Sequence, residues 1–293
     1  MKKHFLLLTI FILGNITLSA QNLLGQYSFE KKYFEVVDNW IMHPSSEQNN
    51  DFIYSYGFIY FDEAAGFTFH FEGTFRINEN GTFIKEKTFG NVKIRLDIDW
   101  KLVEIIPKER LEDLNLQQEP EWLESYKKNN NTTDYLYRLG YAYNAVGGSA
   151  FALEPLYKAY SLEPTYNGLI FELVYALNAT KQYEKAVPLL EQAIKLDSNE
   201  FYLYRELGYA LSNLQRLEEA DKVYKESLLL TTNSAQKSEV GINMVQAYYR
   251  FNNKEKFEEW YKLTKKYASP DSELYQYLEL FKKEMDKQNP QNN

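Results

Sequence analysis

Apolar residues alternate with polar ones ahead of Lys127 and recur at helical spacing after Thr132, so the chain divides into a strand-forming part and a helical part. In the first part Phe67, Phe69, Phe71, Phe75 and Ile77 are interleaved with Thr68, His70, Glu72, Thr74 and Arg76, which predicts a half-buried strand with one apolar face. Val92, Ile94, Leu96, Ile98 and Trp100 repeat the alternation, with Lys93, Arg95, Asp97 and Asp99 expected to face water. Asn80-Gly81 predicts a turn between them. With Phe52 to Phe61 before and Leu102 to Ile106 after, the pattern predicts an antiparallel meander of about four strands, covered on one side. Phe29, Tyr33, Val36 or Val37, Trp40 and Ile41 are spaced as on a covering helix, and Pro120 is suited to open a connecting helix over 121–126.

The helical part repeats itself. Leu139-Gly140, Leu173-Val174 and Leu207-Gly208 stand 34 residues apart, as do Ala152, Ala186 and Ala220. Residues 133–166 carry Leu136, Leu139, Gly140, Tyr143, Ala152, Leu156, Ala159 and Pro164, and 167–200 carry Ile170, Leu173, Val174, Leu177, Ala186, Leu190, Ala193 and Ser198. The third set, in 201–234, is Tyr204, Leu207, Gly208, Leu211, Ala220, Tyr224, Ser227 and Thr232. This pattern resembles the tetratricopeptide repeat family, in which each unit is a helical hairpin that buries its apolar face only against its neighbours. A fourth unit over about 238–268 follows an insertion of about three residues, with Gly241, Met244, Val245, Tyr248, Phe257, Tyr261 and Thr264. Val174 and Ser227 depart from the pattern, and Pro155 and Pro188 fall inside second helices, where each costs a hydrogen bond or adds a kink.

The reading is therefore an α+β chain, with an N-terminal antiparallel β-meander domain followed by an all-α superhelix of tetratricopeptide type. Its expected parts are a signal peptide over 1–20, a β-rich domain with flanking helices over 21–127 and a repeat domain over 132–268. A capping helix over 270–287, opened by Ser269-Pro270, and a disordered tail over 288–293 complete it. The signal is read from Lys2-Lys3, the apolar run Phe5 to Leu13 and the small-residue end Leu18-Ser19-Ala20. That run is too short to span a bilayer, which needs roughly 20 residues, so no stable membrane insertion is expected after cleavage. The expected location is the periplasm or envelope of a Gram-negative bacterium, with secretion as the alternative.

Composition narrows the chemistry. There is no cysteine, which excludes disulfides and thiol catalysis. Cleavage would remove Lys2 and Lys3 and no acid, moving the net charge from −8 to about −10. With no basic stripe interleaved with aromatics, nucleic acid is not an expected partner. His43 and His70 are the only histidines beyond the signal, and Asp97 and Asp99 share a strand face. Two acids without a third ligand point to cross-strand charge pairing, so no metal, cofactor or catalytic residue is expected. No nucleophile elbow, phosphate-cradling glycine loop or zinc-binding helix motif is present.

The resemblance places the partner-binding surface on the concave face formed by the first helices. It implies Tyr137, Tyr141 and Asn144 in the first repeat, Phe171, Tyr175 and Asn178 in the second, Tyr202, Arg205, Tyr209 and Asn213 in the third, and Gln246, Tyr249 and Arg250 in the fourth. Tyr141, Tyr175 and Tyr209 form a ladder, and Asn144, Asn178 and Ser212 step beside it as expected grips on a peptide backbone. The Lys pattern of carboxylate-clamping repeats is missing. The expected function is an exported scaffold or adaptor that binds a peptide or helix of another protein in this groove. A glycan-binding module using an exposed row Tyr54, Tyr56, Phe58 and Tyr60 is the alternative, and a hydrolase a distant third that requires Asp97, Asp99 and His70 to converge.

Overall fold

The computed structural model describes residues 27–48, 51–78 and 80–288, so the expected signal at 1–20 and the end of the expected tail at 289–293 lie outside the described residues. The chain divides into two compact units between Tyr126 and Lys127.

The first unit is one antiparallel sheet of five strands, β1 (Asn39–Gln48), β2 (Asp51–Asp62), β3 (Gly66–Ile77), β4 (Phe83–Arg95) and β5 (Glu104–Ile105), in the order β4-β3-β2-β1-β5. Both of its faces are covered. Trp40, Met42, Tyr54, Tyr56, Phe58, Tyr60, Phe75 and Phe83 form one core with Leu111, Leu114 and Leu123 from the short 3₁₀ turns that follow β5. On the other face Tyr33 packs edge-on against Phe67, and Trp100 against Phe69 and His43.

This double covering corrects several expectations. The helix over residues 29–41 is a single 3₁₀ turn at Tyr33–Glu35, after which Asp38, at φ 63°, turns the chain into β1. Trp40 and Met42 then face one core while Ile41 and His43 face the other, so no polar alternation marks β1 as a strand. The meander has five strands among the described residues. In β3 the register against β2 slips between Phe71 and Gly73, leaving Glu72 as an extra residue. Phe67, Phe69 and Phe71 therefore face one side and Phe75 and Ile77 the other, and His70, expected outside, is 5% exposed beneath Trp122. The expected strand Val92 to Trp100 ends at Arg95 within a β4 that begins at Phe83. As the edge strand, β4 leaves Val92 and Ile94 41% and 40% exposed. The Asn80-Gly81 turn forms as expected, with Asn78 Oδ1 accepting from the amides of Asn80 and Thr82.

The second unit is helical: α1 (Thr133–Ala145), α2 (Ser149–Leu162), α3 (Leu169–Ala179), α4 (Tyr183–Leu196), α5 (Phe201–Asn213), α6 (Leu217–Leu230), α7 (Ser234–Arg250), α8 (Lys254–Lys265) and α9 (Glu273–Gln288). Thr132, Asn233 and Asn253 cap α1, α7 and α8 through their side-chain oxygens. Hairpins α1/α2, α3/α4, α5/α6 and α7/α8 stack so that the first helices α1, α3, α5 and α7 lie side by side. The helices run through both Pro155 and Pro188.

Close approach within each hairpin explains the small residues. A Cβ on Gly140 would lie 2.3 Å from Leu156 Cγ, and one on Gly208 would lie 2.4 Å from Tyr224 Cε1. Where Val174 replaces the glycine, α3 and α4 approach less closely than α1 and α2 do. Ser227 is tolerated in a fully buried position because its hydroxyl donates to Tyr224 O at 2.7 Å. The four hairpin turns all use the left-handed region, at Gly147, Lys181, Gln215 and Asn252 with φ of 78°, 61°, 63° and 51°. Helix α9 closes the stack by packing on α7 and α8, with Leu278 and Met285 buried. It begins at Glu273, with Ser272 Oγ accepting from the Tyr275 amide, rather than at Pro270.

Candidate functional site: the face of the first helices

A repeat solenoid presents one side chain per repeat at each register position, so a 34-residue step in sequence becomes a row in space. Tyr141, Tyr175 and Tyr209 form such a row on α1, α3 and α5, and they are 54%, 38% and 38% exposed. Gln246 on α7 is exposed as well. The row is walled by rings: Tyr137 lies 5.2 Å from Tyr166, Phe171 lies 5.8 Å from Tyr202, and Tyr183 lies 6.1 Å from Tyr209. Near the last repeat Tyr249 packs against Phe281 of α9 and accepts from Gln288, while Arg250 is exposed. Asn213 donates to Tyr209 O, and Tyr202 accepts from Gln236.

The polar row beside the tyrosines behaves differently from expectation. Asn144, Asn178 and Ser212 are 7%, 3% and 3% exposed, and their donors are engaged within the protein. Asn144 Nδ2 donates to the backbone oxygen of Glu172 at 3.0 Å and to its Oε2 at 2.8 Å. Asn178 makes the same pair to Glu206, at 3.1 and 2.8 Å, and Ser212 Oγ donates to Tyr209 O. These asparagines stitch one first helix to the next. Polar groups at a helix–helix seam must be hydrogen-bonded there, which is why they turn inward rather than toward the groove.

The glutamates they bind are residues that sequence reasoning missed. Glu172 and Glu206 hold one register position on α3 and α5, each 7% exposed. Arg205 Nε and Nη2 donate to Glu206 Oε1 at 3.0 and 2.7 Å, Nη1 donates to Glu239 at 3.2 Å, and the guanidinium lies 5.0 Å from the Tyr202 ring. Burial works against the Arg205 charge, but Glu206 and Glu239 outweigh it and hold the group above its ordinary value. A cavity of about 290 Å³ opens among Tyr175, Asn178, Arg205, Glu206, Tyr209, Glu239 and Asn243. The signal in the sequence was an acid repeated 28 residues after each asparagine.

The first unit offers neither of the other expected sites. Tyr54, Tyr56, Phe58 and Tyr60 are at most 1% exposed, which removes the exposed aromatic platform that glycan binding requires. The four lie under Trp122, Leu111 and Leu114 because the segment after β5 folds back over the sheet. His70 lies on that face, whereas exposed Asp97 is close to Tyr33 on the opposite one, so the acids and the histidine do not converge. Burial pushes the His70 imidazole down, and Lys93 adds to the effect. Among the described residues no three His, Cys, Asp or Glu side chains come together as a metal site, and no helix is long and apolar enough to cross a membrane.

No family model matches the chain, and comparison with curated proteins finds no relative. Among solved structures the chain is similar to MamA of AMB-1, at 25% identity and a TM-score of 0.41, over 46% of this chain and 78% of that one. It is also similar to a thermophilic tetratricopeptide repeat protein of Thermus thermophilus, at 19% identity and a TM-score of 0.44, over 55% and 86%. With a 34-residue step, small residues where hairpin helices cross and first helices packed side by side, the second unit is itself a tetratricopeptide-type solenoid.

Proposed function

We propose that this protein is an exported scaffold that binds an extended segment or helix of another protein along the faces of α1, α3, α5 and α7. The supporting observation is the row Tyr141, Tyr175 and Tyr209, whose rings stay 38–54% exposed in register while most of the repeat residues around them are buried. Tyrosine gives a large contact area with one polar end and little rotamer freedom to lose, which suits partner contact. We assign the protein no cofactor, no catalytic residue, no nucleic-acid partner and no stable membrane insertion after signal cleavage. Export is supported by Lys2-Lys3 and the apolar run that follows, with the periplasm or envelope as the location and secretion as the alternative.

The test is a crosslinking pull-down from the native envelope with the mature protein and with a Tyr141→Ala, Tyr175→Ala, Tyr209→Ala variant of matched helicity. The expected result is a protein partner that is lost only in the variant. An unchanged set of captured proteins would refute the groove. Cell fractionation with N-terminal sequencing tests export, the expected first residue being Gln21.

A further inference from the structure

A buried carboxylate is costly unless it meets an opposite charge or several hydrogen-bond donors. The two equivalent glutamates of the solenoid differ in this respect. Glu206 has Arg205, which binds it through two guanidinium nitrogens and lies over the Tyr202 ring. One repeat earlier, Phe171 occupies the position of Arg205, and among the described residues no cation pairs with Glu172. Glu172 is nevertheless 7% exposed, and among the described residues its side chain has only the Asn144 amide as a hydrogen-bond donor. Burial accordingly pushes its carboxyl up against the opposing effect of that bond.

Asn144 adds a second mismatch. Its Nδ2 is committed to two Glu172 oxygens, so flipping the amide would set oxygen against oxygen, and its orientation is thereby fixed. Its Oδ1 is buried and accepts nothing, a state shared by Asn178 Oδ1 beside Glu206, so the missing cation is what sets this seam apart. A negative charge without a cation and an acceptor without a donor thus adjoin each other between α1 and α3. Tyr141 and Tyr175, one turn away on the same helices, expose their rings to the groove.

We infer that the groove between the first two repeats receives an arginine side chain of the bound protein segment, with Glu172 as its counter-charge and Tyr141 and Tyr175 as its walls. The site rests on the scaffold reading and adds the chemistry of one contact. Arginine is favoured over lysine because its planar fork can donate to a carboxylate through two nitrogens while stacking on an aromatic face. The chain contains its own example of the completed arrangement, Arg205 on Glu206 beside Tyr202. A net charge of −8 favours the approach of a basic segment.

The probe is a short capped alanine peptide with one central arginine, titrated against the full chain beside the same peptide carrying citrulline, its uncharged near-isostere. The arginine peptide is expected to bind about tenfold tighter, the scale of one charge-assisted contact. Glu172→Gln, which keeps an acceptor for Asn144, should abolish that preference. Phe171→Arg, which copies Arg205 into the earlier repeat, should abolish it too by occupying the site from within. Equal binding of the two peptides, absence of binding, or a preference that survives in both folded variants would overturn the inference. The scaffold reading has a separate readout, since loss of the native partner in the triple tyrosine variant can persist when the arginine preference is absent.

Discussion

The glycine at the crossing of α5 and α6 allows two physical effects to be set against each other by sign. Gly208 lies inside α5, where helix propensity alone makes Gly208→Ala stabilising by about 1 kcal/mol. Packing predicts the opposite. The new Cβ would lie 2.4 Å from Tyr224 Cε1 and 2.6 Å from Cδ1 and Cζ, far inside van der Waals contact. Tyr224 cannot swing away readily, because it is fully buried and its hydroxyl accepts from Asn243. Overpacking of this kind costs roughly 1–3 kcal/mol, and a contact with a rigid ring belongs at the upper end, so the net expectation is a loss of about 1–2 kcal/mol. Urea unfolding followed by far-ultraviolet circular dichroism measures it. The double variant Gly208→Ala, Tyr224→Leu, which takes the leucine of the Val174/Leu190 crossing, should lose less than the two single variants summed. A Gly208→Ala protein more stable than wild type would refute the close-packing account and leave propensity as the governing effect.

Other expectations follow from single contacts. Asn144→Ala removes the amide that donates to the Glu172 carboxylate and should cost about 2–3 kcal/mol in urea unfolding, more than a surface Asn substitution. Lys181→Gly relieves a left-handed turn residue at φ 61° and should stabilise the second unit by about 0.5–1 kcal/mol, whereas Lys181→Ala should not. Trp122→Ala uncovers Phe58, Tyr60 and His70; it should lower the thermal midpoint of the first unit and raise the His70 pKa toward its ordinary value, as read by NMR titration. The buried histidines and Glu172 should also contribute oppositely in acid. His43 and His70 are held down by burial, so the unfolded chain takes up protons first, and the first unit should lose stability as pH falls below about 6.5. Glu172 is held up by burial, so its folded form takes up the proton first; its charge weakens the second unit as pH rises through that raised value, an effect Glu172→Gln should remove.

Legibility tracked how local each signal was. The repeats could be read because every hairpin contacts mainly its neighbours, so each period must carry its own crossing residues, turn and core positions. The tyrosine row came with them, since a register position in a solenoid is also a position on its surface. Asn144 and Asn178 lay in the same register, yet their orientation was decided by Glu172 and Glu206 on the adjacent helix. The first unit was harder for a related reason. Its alternation was read as one covered face, but segments 27–36 and 96–126 cover both, which buries His70 and the Tyr54 to Tyr60 row and hides β1 in a run without polar alternation.

The sequence by itself determined the 34-residue period, the hairpins, the division into a strand part and a helical part, and the Asn80-Gly81 turn, all of which depend on contacts within a few tens of residues. Only the tertiary structure decided which polar residues face a neighbour rather than water, where Glu72 interrupts the register of β3, and that Glu172 lacks the arginine its counterpart Glu206 possesses. Those outcomes depend on what a distant segment places opposite each side chain, and burial by a distant segment leaves no periodic trace in the residue it covers.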